Sequence, residues 1–149
     1  MSVRQFVDTN ILVYSRDTTD REKHAVASET MRRLWKDRSG VISTQVCNEF
    51  YVTVTRKLTP GLTPEEAWDD IDALLAWNPV PVDASSMRVA RHIEQRYGLS
   101  WWDSLIVATC SQAGCTEILS EDLNPDQEYL GIRVTNPFDT AGEILETES

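Results

Sequence analysis

Four carboxylates stand in settings that suit chemistry. Asp8 follows an apolar run in Phe6-Val7-Asp8-Thr9-Asn10, at the C-terminal end of a predicted strand, where parallel α/β sheets bind their ligands. Asp122 follows a second such run in Ile118-Leu119-Ser120-Glu121-Asp122 and reaches the same sheet edge if the two strands are neighbours. Asp103 lies in Gly98-Leu99-Ser100-Trp101-Trp102-Asp103, at the first turn of the most apolar helix, where tandem tryptophans wall off a site and the helix N-terminus faces any bound anion. Glu49 is mid-helix and shares a face with Gln45, Thr53 and Arg56, while Val46, Phe50 and Val54 lie on the other side. Three acids at one end of a sheet and a fourth on a nearby helix repel one another unless they hold divalent cations. An all-oxygen set of this kind is hard and suits Mg²⁺ or Mn²⁺ over zinc.

Taken singly, each acid has an ordinary structural use. Asp8 fits a helix N-cap, Ser100 and Asp103 have the spacing of a capping box, Asp122 sits in what reads as an acidic turn, and Glu49 suits a solvated face. The set carries the argument. Other constellations are weaker: His24 and His92 have no partner at metal-ligand spacing, and the cysteines form no C-x-x-C, which disfavours zinc. There is no phosphate-binding P-loop, dinucleotide fingerprint or nucleophile elbow. Arg88, His92 and Arg96 recur at helical spacing as a solvated strip suited to phosphate, and Arg32, Arg33, Lys36 and Arg38 complement a helix C-terminus.

The elements that must position these acids alternate between short apolar strands and longer amphipathic helices, the pattern of a parallel sheet covered by helices. Five strands are predicted, at Val3–Val7, Val41–Ser43, Val80–Val82, Glu117–Leu119 and Ile132–Val134, the third containing a proline that suits an edge. Helices are predicted over Thr9–Tyr14, Arg21–Lys36, Thr44–Leu58, Pro64–Trp77, Ala84–Tyr97 and Trp101–Gln112. Thr63, Pro64 and Glu66 form a start signal, and Gly40, Gly98 and Gly114 are expected to follow helix ends.

With 149 residues, 41% hydrophobic and 26% charged, the chain suits a single domain over 1–149. No apolar stretch approaches the ~20 residues needed to span a bilayer. Met1-Ser2-Val3-Arg4-Gln5 runs into an apolar segment without a signal-peptide h-region, and Cys47, Cys110 and Cys115 are an unpatterned set, so a cytoplasmic protein with reduced thiols is expected. Asp and Glu total 24 against 14 Lys and Arg, a net charge of −10. That balance argues against a broad basic nucleic-acid surface and for a basic partner protein. RNA remains accessible as a substrate if metal ions neutralise the carboxylate cluster locally.

The four acids and their settings resemble the PIN-domain nucleases, most closely the VapC-type toxins of bacterial toxin-antitoxin pairs. The matching pieces run in order along nearly the whole chain: Phe6 to Tyr14, Ile42 to Tyr51, Tyr97 to Ala108, and Leu119 to Leu123 followed by Asn136-Pro137-Phe138. The resemblance implies a PIN-like three-layer α/β/α fold with strand order 3-2-1-4-5, Mg²⁺-dependent ribonuclease activity, a homodimer and a cognate antitoxin. Asp8, Glu49, Asp103 and Asp122 match the family's acidic quartet, and Ser120 matches its hydroxyl residue two before the last acid. Asp8 and Asp103 then hold the metal most directly, with Glu49 and Asp122 completing the site directly or through water, so that a metal-activated water cuts the phosphodiester. Where close relatives often have a Gly-containing turn, this chain has Asn124-Pro125-Asp126-Gln127, which raises the question of whether Glu121 or Asp126 assists. The competing reading is a catalytically silent α/β module that uses the acids to position a cation or a basic partner. A receiver-like version needs a lysine at a strand end, and Lys23, Lys36 and Lys57 all fall on predicted helices.

Overall fold

The computed structural model describes residues 3–139. Four short strands, β1 (Gln5–Val7), β2 (Gly40–Val41), β3 (Glu117–Leu119) and β4 (Arg133–Thr135), form one sheet in the order β2-β1-β3-β4. All pairings are parallel, with Phe6 opposite both Val41 and Ile118, and Ile118 opposite Val134. β1 and β3 are therefore direct neighbours, and the segments that carry Asp8 and Asp122 leave the sheet side by side.

Among the described residues the sheet has four strands, not the five predicted. The expected strand at Val80–Val82 is reduced to one parallel bridge between Val80 and Ser43, next to the end of β2. Val80 N donates to Ile42 O at 2.9 Å and Val80 O accepts from Thr44 N at 2.9 Å. On one side Asn78 is left-handed, and on the other Thr44 already opens α3, where Val82 N donates to the Thr44 hydroxyl at 3.2 Å instead of to a backbone carbonyl, so the ladder stops at Val80.

The helices α1 (Thr9–Tyr14), α2 (Arg21–Asp37), α3 (Thr44–Arg56), α4 (Pro64–Leu74), α5 (Ala84–Tyr97) and α6 (Trp101–Gln112) pack around the sheet. They fall into two packed groups. α1 lies against α2 and α3, α3 against α4 and α2 against β2, while α5 lies against α6 and α6 against β3. Every residue of α6 from Ser104 to Cys110 is buried, which explains an apolar composition without a polar face. Phe6, Val7, Ile118 and Leu119 fill the centre from the sheet, and Ile11, Val46 and Phe50 close it from the helices.

The capping box predicted at Thr63 and Glu66 forms in full at the start of α4, whose last turn tightens into a 3₁₀ segment at Leu75–Trp77. Gly98 ends α5 in the left-handed conformation as expected. Gly40 has a different use. Arg38 takes the left-handed position after α2, while Gly40 lies in β2, where an added Cβ would come within 2.3 Å of the Trp77 ring. Cys47, Cys110 and Cys115 are free and buried, and no helix among the described residues is long and apolar enough to cross a membrane.

Candidate active site

Asp8 caps α1 and lies buried at the centre of the acidic cluster. Its Oδ1 accepts from Thr9 N at 2.7 Å, and Oδ2 accepts from Ser120 Oγ at 2.7 Å and from Asn10 Nδ2 at 3.3 Å. Only 5% of the residue is exposed. Burial is the main force that pushes its carboxyl up to about 6, with the nearby charges of Asp103 and Asp122 adding to the rise and the bonds from Ser120 and Thr9 opposing it.

Ser120 ends the β3 run, and its hydroxyl also accepts the backbone N–H groups of Asp122 at 3.1 Å and Leu123 at 3.3 Å. It thus fixes the turn that presents Asp122 while binding Asp8. Asn10 works across the same gap: its amide donates to Asp122 Oδ2 at 3.1 Å as well as to Asp8, and its Oδ1 accepts Glu121 N at 3.2 Å. Asp122 is exposed at the rim.

Glu49 reaches the cluster from α3. Thr9 Oγ1 donates to its Oε2 at 2.8 Å and Gln45 Nε2 donates to its Oε1 at 2.7 Å. The same Gln45 nitrogen holds Trp102 O at 3.0 Å, which ties α3 to the start of α6. Holding the amide this way leaves Gln45 Oε1 as a buried acceptor without a partner among the described residues, an unfavourable arrangement outweighed by bonds to a charged group. Asp103 N donates to Ser100 Oγ at 3.1 Å, but its carboxylate does not return the bond, so only half of the expected capping box forms. That leaves the carboxylate for the site. Partial burial, and then the charges of Asp122 and Glu49, raise its pKa above the ordinary value against the opposing bond to Ser100.

The neighbouring acids resolve differently. Lys23 pairs with Glu121, and its ammonium lies over the Tyr14 and Phe138 rings at 5.0 and 5.5 Å. Asp126 is exposed and its backbone N–H bonds to Asn124 within its own loop. Neither carboxylate hydrogen-bonds to the cluster's side chains among the described residues. His24 Nδ1 lies 2.9 Å from Tyr14 O, and His92 is exposed on α5.

No group of three or more His, Cys, Asp or Glu side chains among the described residues is set to hold a metal ion as it stands. Mg²⁺ does not require such a cage. It is commonly held by one or two carboxylates, with waters and substrate phosphate completing the shell. The mutual repulsion of Asp8, Asp103 and Asp122, and the all-oxygen character of the donors, fit a hard divalent cation. Thr9, Asn10 and Gln45 are site residues that sequence reasoning did not single out. Thr9 and Asn10 belong to the Asp-Thr-Asn motif after β1, and Gln45 precedes Glu49 by one helical turn.

A model of the PIN domain family matches residues 6–127, and the chain belongs to that family. Solved structures share the fold. The Mycobacterium tuberculosis VapC20, a Sarcin-Ricin loop cleaving toxin, is 18% identical with a TM-score of 0.59, over 93% of this chain and 95% of its own. The Rickettsia felis VapBC2 structure, bound to a DNA fragment from its promoter, is 15% identical with a TM-score of 0.62, over 90% of this chain and 98% of that one. A toxin-antitoxin complex from Klebsiella pneumoniae is 20% identical with a TM-score of 0.62, over 91% and 98% of the two chains. No curated protein sequence matches this chain.

Proposed function

We propose that this PIN-domain protein is a divalent-metal-dependent endoribonuclease and the toxin of a toxin-antitoxin pair. The observation that supports the nuclease reading above all is the acidic cluster itself. Asp8 and Asp122 share one Asn10 amide, Glu49 is bound to Thr9 next to Asp8, and Asp103 feels the charges of Asp122 and Glu49. A divalent ion, when bound there, supplies the positive charge that offsets the substrate phosphate and makes a water acidic enough to act near neutral pH. Mg²⁺ is the proposed cofactor, with Mn²⁺ able to replace it.

In this reading Asp8 and Asp103 bind the ion most directly, and Glu49 and Asp122 complete its surroundings directly or through water. Ser120 and Asn10 keep Asp8 aimed at the site, and Thr9 and Gln45 do the same for Glu49. The local charge matters because the chain carries −10 overall and repels phosphate at long range.

The toxin role draws on the fold shared with VapC20 and with two toxin-antitoxin assemblies. A cognate antitoxin with a basic docking segment and a homodimeric state follow from the same reading. The deciding experiment incubates the purified protein with single-stranded RNA in Mg²⁺ or Mn²⁺ and in chelator. Cleavage is expected only with the ion and only with Asp8 and Asp103 intact. Wild-type rates from Asp8→Asn or Asp103→Asn, or full activity in chelator, overturn it.

A further inference from the structure

We propose that the groove beside Glu49 is a nucleotide subsite, in which an unpaired base of the RNA stacks on the Trp102 indole while Lys57 meets a phosphate further along the strand; this deepens the ribonuclease reading and rests on it. The groove has a volume of about 760 Å³, and its lining includes Thr9, Gln45, Glu49, Thr53, Lys57 and Trp102. That is within the range of roughly 300–1,000 Å³ in which small-molecule sites fall. Thr9 and Glu49 are bonded members of the acidic cluster, so the groove is continuous with the place where the scissile phosphate would sit.

Trp102 is the feature that calls for an occupant. It is 63% exposed at the start of a helix that is buried from Ser104 to Cys110, and it immediately precedes Asp103. An indole there contributes little to the core and offers an open aromatic face one residue from a site carboxylate. Its backbone is anchored: Gln45 Nε2 holds both Trp102 O, at 3.0 Å, and Glu49 Oε1, at 2.7 Å. One amide therefore sets the stacking platform and the carboxylate in a fixed relation. Stacking on an aromatic side chain is how proteins hold unpaired bases whatever their identity, and bases within an A-form duplex do not present a free face.

Lys57 supplies the matching charge. It caps the C-terminus of α3, is exposed, and forms no ion pair among the described residues. In a chain of net charge −10, a free ammonium lining the same groove as Glu49 complements a backbone phosphate displaced from the reacting one. Thr53 lies between the two on the same helix face and also lines the groove.

The test separates base recognition from cleavage. Binding of a random-sequence single-stranded RNA of about 12 nucleotides, within the span that single-strand sites cover, is measured by fluorescence anisotropy in chelator. An abasic strand of equal length is measured alongside. The wild type should prefer the strand with bases by about tenfold, the size of one base–aromatic stack. Trp102→Ala should bind both strands alike, Trp102→Phe should keep most of the preference, and Lys57→Gln should weaken both strands and flatten the salt dependence. A preference unchanged in Trp102→Ala, or absent in the wild type, overturns the subsite. If the preference depends on Trp102 yet no RNA is cut in Mg²⁺ or Mn²⁺, the subsite stands and the ribonuclease reading falls; cutting without that dependence gives the reverse.

Discussion

Ser120 Oγ donates to Asp8 Oδ2 at 2.7 Å across the junction of β1 and β3, and the same oxygen accepts the N–H groups of Asp122 and Leu123. One buried hydroxyl thus sets the charge of one site acid and the position of another. Ser120→Ala removes the bond that lowers the Asp8 pKa and leaves two N–H groups without an acceptor. We expect a stability loss of about 1–3 kcal/mol by chemical denaturation. The acid limb of the cleavage profile should also move to higher pH, because Asp8 then ionises later. An unchanged acid limb would show that Ser120 does not act through Asp8.

The position of this pair was legible because Asp8 and Ser120 each follow an apolar run, and runs that pair as parallel strands bring their C-terminal ends together. The Thr63–Glu66 box and the apolar, centrally buried α6 were legible for similar reasons, since they depend on spacing and composition alone. Long-range side-chain bonds were not. The Asn10 amide meets Asp122 across 112 positions, and Gln45 meets Trp102 O across 57, distances over which no local pattern reports a partner. Whether Glu121 assists Asp122 was open from the sequence, and the pairing of Glu121 with Lys23, 98 positions away, emerges only in the fold. The missing fifth strand was half legible: Pro81 suits an edge position, whereas the left-handed Asn78 and the start of α3 at Thr44, which limit the pairing to Val80, are set by the fold.

Burial of Asp8 makes the metal-free protein sensitive to pH in an unusual direction. Its carboxyl binds a proton more tightly folded, at about 6, than unfolded, near 3.8, so the folded state is favoured at low pH and loses that advantage as pH rises through this window. The raised value corresponds to about 3 kcal/mol at about 1.4 kcal/mol per pH unit. The melting temperature in chelator should therefore fall between pH 4.5 and 6.5. Asp8→Asn should remove most of the slope and raise stability at pH 7.5 by about 1 kcal/mol, less than the whole amount because one acceptor oxygen is also lost. A rising melting temperature over that window in the wild type would contradict the buried, repelled carboxylate.

A divalent ion should reverse the penalty. Mg²⁺ or Mn²⁺ at about 100 times its dissociation constant adds about 2.7 kcal/mol to a protein that binds it only when folded. Differential scanning fluorimetry of the wild type should show that rise at pH 7.5, and Asp8→Asn and Asp103→Asn should show much less. Equal shifts in all three would place the ion elsewhere.

Glu121 and Asp122 are adjacent acids with separate duties. Glu121→Gln weakens a partly buried pair with Lys23 and should cost about 1 kcal/mol of stability while cleavage stays within about twofold. Asp122→Asn should instead lower cleavage at least about tenfold with little change in melting. Interchanged outcomes would put Glu121 in the site.

The ends left on the RNA distinguish this chemistry from ribonucleases that use the 2′-hydroxyl of the substrate as nucleophile, which need a paired general acid and base such as two histidines. The ring of His24 is engaged with Tyr14 O, and His92 is exposed on α5, so neither joins Asp8, Glu49, Asp103 and Asp122. The acids instead suit delivery of water to the phosphorus, with the bond to the 3′ oxygen breaking. The products should then carry a 5′-phosphate and a 3′-hydroxyl. A 2′-deoxy nucleotide at the scissile position should still be cut, more slowly if that hydroxyl also makes a binding contact. Complete block by the deoxy substitution, together with a 2′,3′-cyclic phosphate on all-ribose RNA by mass spectrometry, would refute water as the nucleophile.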